Sequence, residues 1–267
     1  MALALLLLLW LITLATAYLF AQSWLPAAIS AGAVRADHQF QISLAILGVV
    51  FVLAQVMLGW TVWRHRERTE TAPKTAASSS LLLESASVTL AAVLFLGMNL
   101  FAAKSWTAQS FVGPAPGGAG RTDKVRVEVT GQQFRWYFRY AGPDGKFGAT
   151  KPELQDASLG NPLGIDPADA AGADDKVSAV LVLPVGHEIE ITLHSQDVIH
   201  SFFVPQLRLK QDAVPGMDAI IHFRVEQAGE YEVVCAELCG LGHHQMNAKL
   251  NVLHEAEFAR WLAGGVK

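Results

Sequence analysis

Three long apolar runs crowd the first hundred or so residues, and they limit what this chain can fold into. No charge precedes Arg35, a second run extends from Ile42 to Trp63, and a third follows Leu81-Leu-Leu-Glu84. Each is close to the ~20 residues that a helix needs to cross a bilayer. Backbone polar groups in hydrocarbon must be satisfied within the segment, so such runs are helical. The predicted spans are about 2–20, 42–63 and 83–103. Ala15-Thr16-Ala17 could serve as a cleavage site, but no basic residue precedes it, which favours a retained first helix over a secretory signal. The whole chain is 52% hydrophobic and only 16% charged, too apolar for an ordinary soluble domain. A net charge of −4 argues against nucleic acid as a partner.

Orientation follows from the loops. Arg64, Arg66, Arg68 and Lys74 outnumber Glu67 and Glu70 between the second and third runs, and a basic loop stays cytoplasmic. Everything after Lys104 then faces outward. Gly, Pro and Ala alone make up 113–120, a linker by composition. From 121 to 267 the pattern changes. Val125-Arg-Val-Glu-Val-Thr130 alternates apolar and polar, as a half-buried strand does. Similar short runs at 179–183, 188–193, 219–225, 230–235 and 248–253 predict a sandwich or barrel, with a terminal helix over 255–262. In the run at 219–225, His222 falls opposite Ile221 and Phe223 and is expected to face solvent. Between Ala141 and Lys176 lies an aperiodic, acidic stretch that reads as a surface insert or a docking loop.

The chemistry concentrates in Cys235-Ala-Glu-Leu-Cys-Gly-Leu-Gly-His-His-Gln-Met246, which holds both cysteines of the chain. Thiolate, imidazole and thioether are soft ligands that suit copper better than magnesium or calcium. A second thiolate so close to the first suggests two sulfurs bridging two ions, with His243 on one and a distant histidine on the other. His200, in Asp197-Val-Ile-His-Ser-Phe-Phe-Val-Pro205, is the best candidate. A redox dithiol or half a zinc site would use the two cysteines but not the following His and Met. There is no Cys-x-x-Cys-His, hence no covalent haem site.

These motifs resemble those of subunit II of haem-copper cytochrome c oxidases: C-x-E-x-C-G-x-x-H-x-x-M, D-V-x-H-S-x-x-V-P, and L-K-x-D-A-x-P-G, the last met by Leu209-Lys-Gln-Asp-Ala-Val-Pro-Gly216. The resemblance implies a membrane-anchored all-β protein, its transmembrane helices followed by a cupredoxin-like Greek-key β-barrel. It implies a dinuclear copper centre held by His200, Cys235, Cys239, His243 and Met246, with Glu237 giving its backbone carbonyl. The Glu237 carboxylate would reach a magnesium ion at the boundary with subunit I. Glu84 would stand at the mouth of a proton pathway into subunit I; as a helix-start acid it also suits the positive end of a helix dipole.

Gly131-Gln-Gln-Phe-Arg-Trp136 resembles the family's G-x-Q-W-x-W, where the first tryptophan receives electrons from cytochrome c. Phe134 replaces that tryptophan, and Trp136, expected on the same strand face, would share the path. The implied partners are subunit I, a cytochrome c-like donor steered partly by the acidic stretch, and the lipid bilayer. The implied location is a bacterial inner membrane with the copper domain in the periplasm. The competing readings are the matching subunit of a nitric-oxide reductase and a stand-alone membrane-tethered copper carrier.

Overall fold

The computed structural model describes residues 2–21, 25–64, 80–109, 124–142 and 144–264. The linker at 113–120 and the basic loop after Arg64 lie outside the described residues. The chain divides into two compact units: Met1–Leu25 with Ala36–Ala108, and Pro26–Arg35 with Gln109–Lys267.

The first unit is helical. It contains α1 (Ala2–Ala21), most of α2 (Ala31–Arg64) and α3 (Leu81–Gln109). Ala31–Arg64 and Leu81–Lys104 are long and apolar enough to cross a membrane, whereas the apolar stretch described in α1 is the shorter Leu7–Leu19. The most apolar windows of α2 and α3 are 6% and 0% buried in the chain itself, so their side chains need lipid or another subunit as cover. Helix α2 starts well before the predicted 42. Ser30 Oγ accepts the Ala33 N–H at 3.0 Å and caps the extra turns. In α3 the Asn99 amide donates to Phe95 O of its own helix at 2.8 Å.

Among the described residues, the second unit holds ten strands in two five-stranded sheets. They are β1 (Lys124–Gln132), β2 (Arg135–Tyr140), β3 (Lys176–Ser178), β4 (Leu181–Pro184) and β5 (Glu188–Ser195). The rest are β6 (His200–Val204), β7 (Leu209–Ala213), β8 (Ala219–Arg224), β9 (Gly229–Cys235) and β10 (Asn247–Leu253). The sheet orders are β3-β2-β1-β5-β8 and β4-β10-β9-β6-β7. β1 with β5 and β10 with β4 are parallel pairs, and the other pairs are antiparallel. Alternation fills the core. Ile189, Ile191 and Leu193 point inward from β5, and Val127 and Val129 from β1. Helix α4 (Glu255–Leu262) closes one end through Phe258 and through Trp261, whose ring meets Tyr140 edge-on.

His200 opens β6. Two expectations change. Phe134 lies in the two-residue turn between β1 and β2, so it does not share a strand face with Trp136. His222 is 7% exposed, although it does point away from Ile221. The Lys124–Glu190 ion pair from β1 and β5 lies beside it, with its Nδ1 3.7 Å from the Glu190 carboxylate. Burial and the Lys124 charge lower its pKa against the opposing pull of Glu190 and Glu188.

The acidic insert is built rather than merely solvated. Arg139, 1% exposed, pairs with Asp175 and, at 2.9 Å, with Glu128. Its guanidinium also donates to Gly148 O at 2.5 Å. Asp169 accepts the Ala149 and Ala171 N–H groups, and Asp166 pairs with Lys151 at 2.7 Å. A buried charge needs such partners, so Asp175 is a tie within the fold and not a surface charge.

The segment Pro26–Arg35, between the first two predicted spans, groups with the β unit. Ile29 is 1% exposed and belongs to its core. Its N–H donates to Gln206 O at 3.2 Å and its carbonyl accepts the Glu226 N–H at 2.8 Å.

Candidate metal centre

Two strand ends and one loop assemble the site. β6 pairs with β9 so that Phe202 lies opposite Cys235, which brings His200 beside Cys235. The chain then leaves the sheet at Cys235 and re-enters it at β10. Cys235 N–H donates to Met246 O at 3.0 Å, closing that loop at its base, and Ala236 N–H donates to Ser201 O at 3.0 Å. A tight turn over His243–Gln245 brings His243 and Met246 back toward the cysteines. Gly240 has φ +136°, a conformation that a side chain would strain.

Six donor atoms converge there. Cys235 Sγ lies 4.0 Å from His200 Nδ1 and 3.2 Å from Glu237 O. Cys239 Sγ lies 3.6 Å from His243 Nδ1 and 3.7 Å from Met246 Sδ. The two sulfurs are 4.0 Å apart. The set therefore has two halves, each with one imidazole nitrogen and one weaker donor, joined by two thiols. His200, Cys235, Cys239 and Met246 are buried. Burial, with the neighbouring Cys235 thiol, pushes Cys239 up to about 11. A metal must therefore displace its proton. Soft sulfur and imidazole donors fit copper. The Glu237 side chain is exposed and takes no part in this cluster.

The surroundings hold these donors still. His200 Nε2 is 2.8 Å from Asp197 Oδ1. Burial pushes the Asp197 carboxyl up, but bonds from Gln133 N–H, His200 and Val198 N–H outweigh it and leave its pKa below the usual range. The Trp136 ring meets His200 edge-on at 5.9 Å and is 2% exposed. Trp136 is therefore enclosed against His200. Phe134 is half-buried beside the ligand loop: a Cβ on Gly242 would fall 2.4 Å from its ring. Glu84 belongs to the helical unit, exposed in the first turn of α3. Sequence reasoning missed the supporting roles of Asp197, Gln133 and Gly131. Their positions inside the two motifs were the available signal.

The family description "Cytochrome C oxidase subunit II, periplasmic domain" matches residues 125–253. The alternative cytochrome c oxidase subunit 2 of Bradyrhizobium diazoefficiens is 35% identical over 269 residues, covering 98% of this chain and 91% of that one. Cytochrome c oxidase subunit 2 of Cereibacter sphaeroides is 28% identical over 229 residues, covering 82% and 72%. The crystal structure of the periplasmic domain of subunit II of cytochrome oxidase of Bradyrhizobium japonicum covers 53% of this chain and 92% of its own. It is 28% identical, and its TM-score of 0.39 is too low to add weight. These relatives do not favour the nitric-oxide reductase reading. By its full-length likeness to the Bradyrhizobium protein, and with the family's periplasmic domain matched, this chain belongs to the cytochrome c oxidase subunit II family.

Proposed function

We propose that this chain is the electron-accepting subunit of a haem-copper terminal oxidase. It takes single electrons from a cytochrome c-like donor and passes them to haem in subunit I, where oxygen is reduced. One observation carries the reading: two thiols flanked by two matched sets of donors, His200 with Glu237 O and His243 with Met246. The chemistry that bound copper supplies is one-electron transfer, with the charge shared between two ions. The chain's part is to hold Cys235, Cys239, His200, His243 and Met246 in one geometry through both redox states and to keep water out.

Phe134, half-buried over the ligand loop, is the point of electron input in this reading, and Trp136 is part of the packed wall behind it. The exposed Glu237 carboxylate is free to meet a magnesium ion at the subunit I boundary, and Glu84 serves the proton path. The bare faces of α2 and α3 suit lipid and subunit I. The domain division is an anchor over 1–112, a linker at 113–120 and a copper domain over 121–267, supplemented by Pro26–Arg35. The excess of Arg and Lys between the second and third apolar runs supports a cytoplasmic basic loop and a periplasmic copper domain on a bacterial inner membrane.

Copper analysis and electron paramagnetic resonance of the full chain test the reading. Two coppers per chain and one unpaired electron split by two equivalent nuclei are expected. Cys239→Ser should lose that signal, and Met246→Leu should keep copper and shift the potential. Splitting by a single nucleus in the unaltered chain would sink the dinuclear assignment.

A further inference from the structure

The turn between β1 and β2 supplies no donor atom, yet it touches both pieces of chain that do. Gln133 N–H donates to Asp197 Oδ2 at 2.7 Å. The same carboxylate, through Oδ1, bonds His200 Nε2 at 2.8 Å. The Gln133 side-chain amide Nε2 donates in the other direction, to Cys239 O. Gly240 leaves room for it: a Cβ there would fall 2.8 Å from that Nε2. A backbone bond from Gln196 N–H to Gly131 O, 3.0 Å, ties the His200 side to the same turn.

We propose that Gln133 is a positioning residue for the metal centre, a clamp that joins the His200 loop to the Cys239 loop. This rests on the reading of His200 and Cys239 as ligands of one centre. His200 and the cysteines come from separate stretches of chain, so their relative placement needs a connection outside the ligand set. Gln133 provides one at each end: its main chain orients the carboxylate that orients the imidazole, and its side chain fixes the carbonyl next to the Cys239 sulfur. Groups behind metal ligands set both ligand orientation and metal properties. A donor set held from outside changes shape less when the charge changes.

The test uses the full chain in detergent, metal-free and copper-loaded, with Gln133→Met, which keeps length and loses the amide. In the metal-free protein, hydrogen exchange of the peptide spanning 237–246 should quicken by roughly two- to tenfold, as for the loss of one hydrogen bond. In the loaded protein, copper content should hold while the copper hyperfine pattern and the reduction potential shift. Combining Gln133→Met with Asp197→Asn should give a shift different from the sum of the single shifts, because both act through one network. Unchanged exchange, or unchanged hyperfine pattern and potential, would overturn the clamp. So would failure of both Gln133→Met and Gln133→Glu to fold, since positioning predicts a folded domain with a loosened loop. The metal-free measurement stands even if the unaltered chain binds fewer than two coppers, so failure of the copper reading and failure of the clamp are told apart.

Discussion

His200 offers its two ring nitrogens in opposite directions: Nε2 meets Asp197 Oδ1 at 2.8 Å, and Nδ1 faces Cys235 Sγ at 4.0 Å. An imidazole that donates its Nε2–H to a carboxylate keeps the Nδ1 lone pair free for a metal. The arrangement fixes both tautomer and ring angle. It explains why the histidine stands at the start of a strand, where neighbouring strands hold its backbone.

The same ring needs space at Gly131. A Cβ there would lie 2.8 Å from His200 Cδ2 and 3.2 Å from the Trp136 ring, and neither ring has room to retreat. Gly131→Ala is expected to cost about 1–3 kcal/mol, as overpacking does. It should also displace His200 and alter the copper hyperfine pattern. Thermal unfolding and electron paramagnetic resonance of the full chain check both. A variant with unaltered stability and spectrum would show that the ring is free to move.

Ile29 makes the connection before α2 part of the β unit's core. Ile29→Ala removes a 1%-exposed side chain and is expected to destabilise that unit by about 2–5 kcal/mol. The same chain truncated to begin at Thr122 should show a comparable loss, since it lacks Pro26–Arg35 entirely. Calorimetry of the two chains beside the unaltered one checks this. Equal unfolding temperatures in all three would mean that the segment merely rests on the domain.

His222 gives a pH signature. Its folded pKa lies below the unfolded value of about 6.5, through burial first and the Lys124 charge second. The unfolded chain therefore binds the proton more readily. Stability is full above the unfolded pKa and falls as pH drops through it toward the folded pKa. In the window from about pH 6.5 downward, before the carboxylates titrate, His222→Gln should flatten the slope of stability against pH. Denaturant unfolding at several pH values measures it, and an unchanged slope would remove His222 from the cause.

The donor loop was legible because its residues are contiguous: spacing and donor chemistry named Cys235, Cys239, His243 and Met246, and Glu237 came only with the family resemblance. Helix α4 and the alternating strands β5, β8 and β9 were legible by period. β6 and β7 were not. His200-Ser-Phe-Phe-Val204 is buried at nearly every position, and Leu209-Lys-Gln-Asp-Ala213 is polar through its centre, so neither alternates cleanly. His222 does alternate, but an ion pair on the outer face covers it, and that cover comes from strands distant in sequence. The Gln133 bonds to Asp197 and Cys239 span 64 and 106 residues, distances over which periodicity carries no information.

The path of the incoming electron is open to a direct measurement. Phe134 is half-buried against the loop of Gly240 and Gly242, whereas Trp136 is enclosed beside His200. Phe134→Ala should therefore slow reduction of the copper by a cytochrome c-like donor while copper stays bound. Trp136 needs the milder Trp136→Phe, because removing a buried indole costs about 3–5 kcal/mol and would confuse rate with stability. The carboxylates of the insert bear on the approach of a cationic donor. Bonds from Ser158 hold Asp156, and the Lys151 ammonium holds Asp166, below the usual carboxylate range, so both stay charged at neutral pH. Steering by such charges weakens as salt shortens the Debye length to ~8 Å at physiological strength. Stopped-flow reduction over a salt series should slow with added salt, and Glu153→Gln, on the exposed edge of the insert, should lower the rate at low salt alone. A rate indifferent to salt would remove the insert from docking. An unchanged rate in Phe134→Ala, with copper in place, would move the point of electron input elsewhere on the domain.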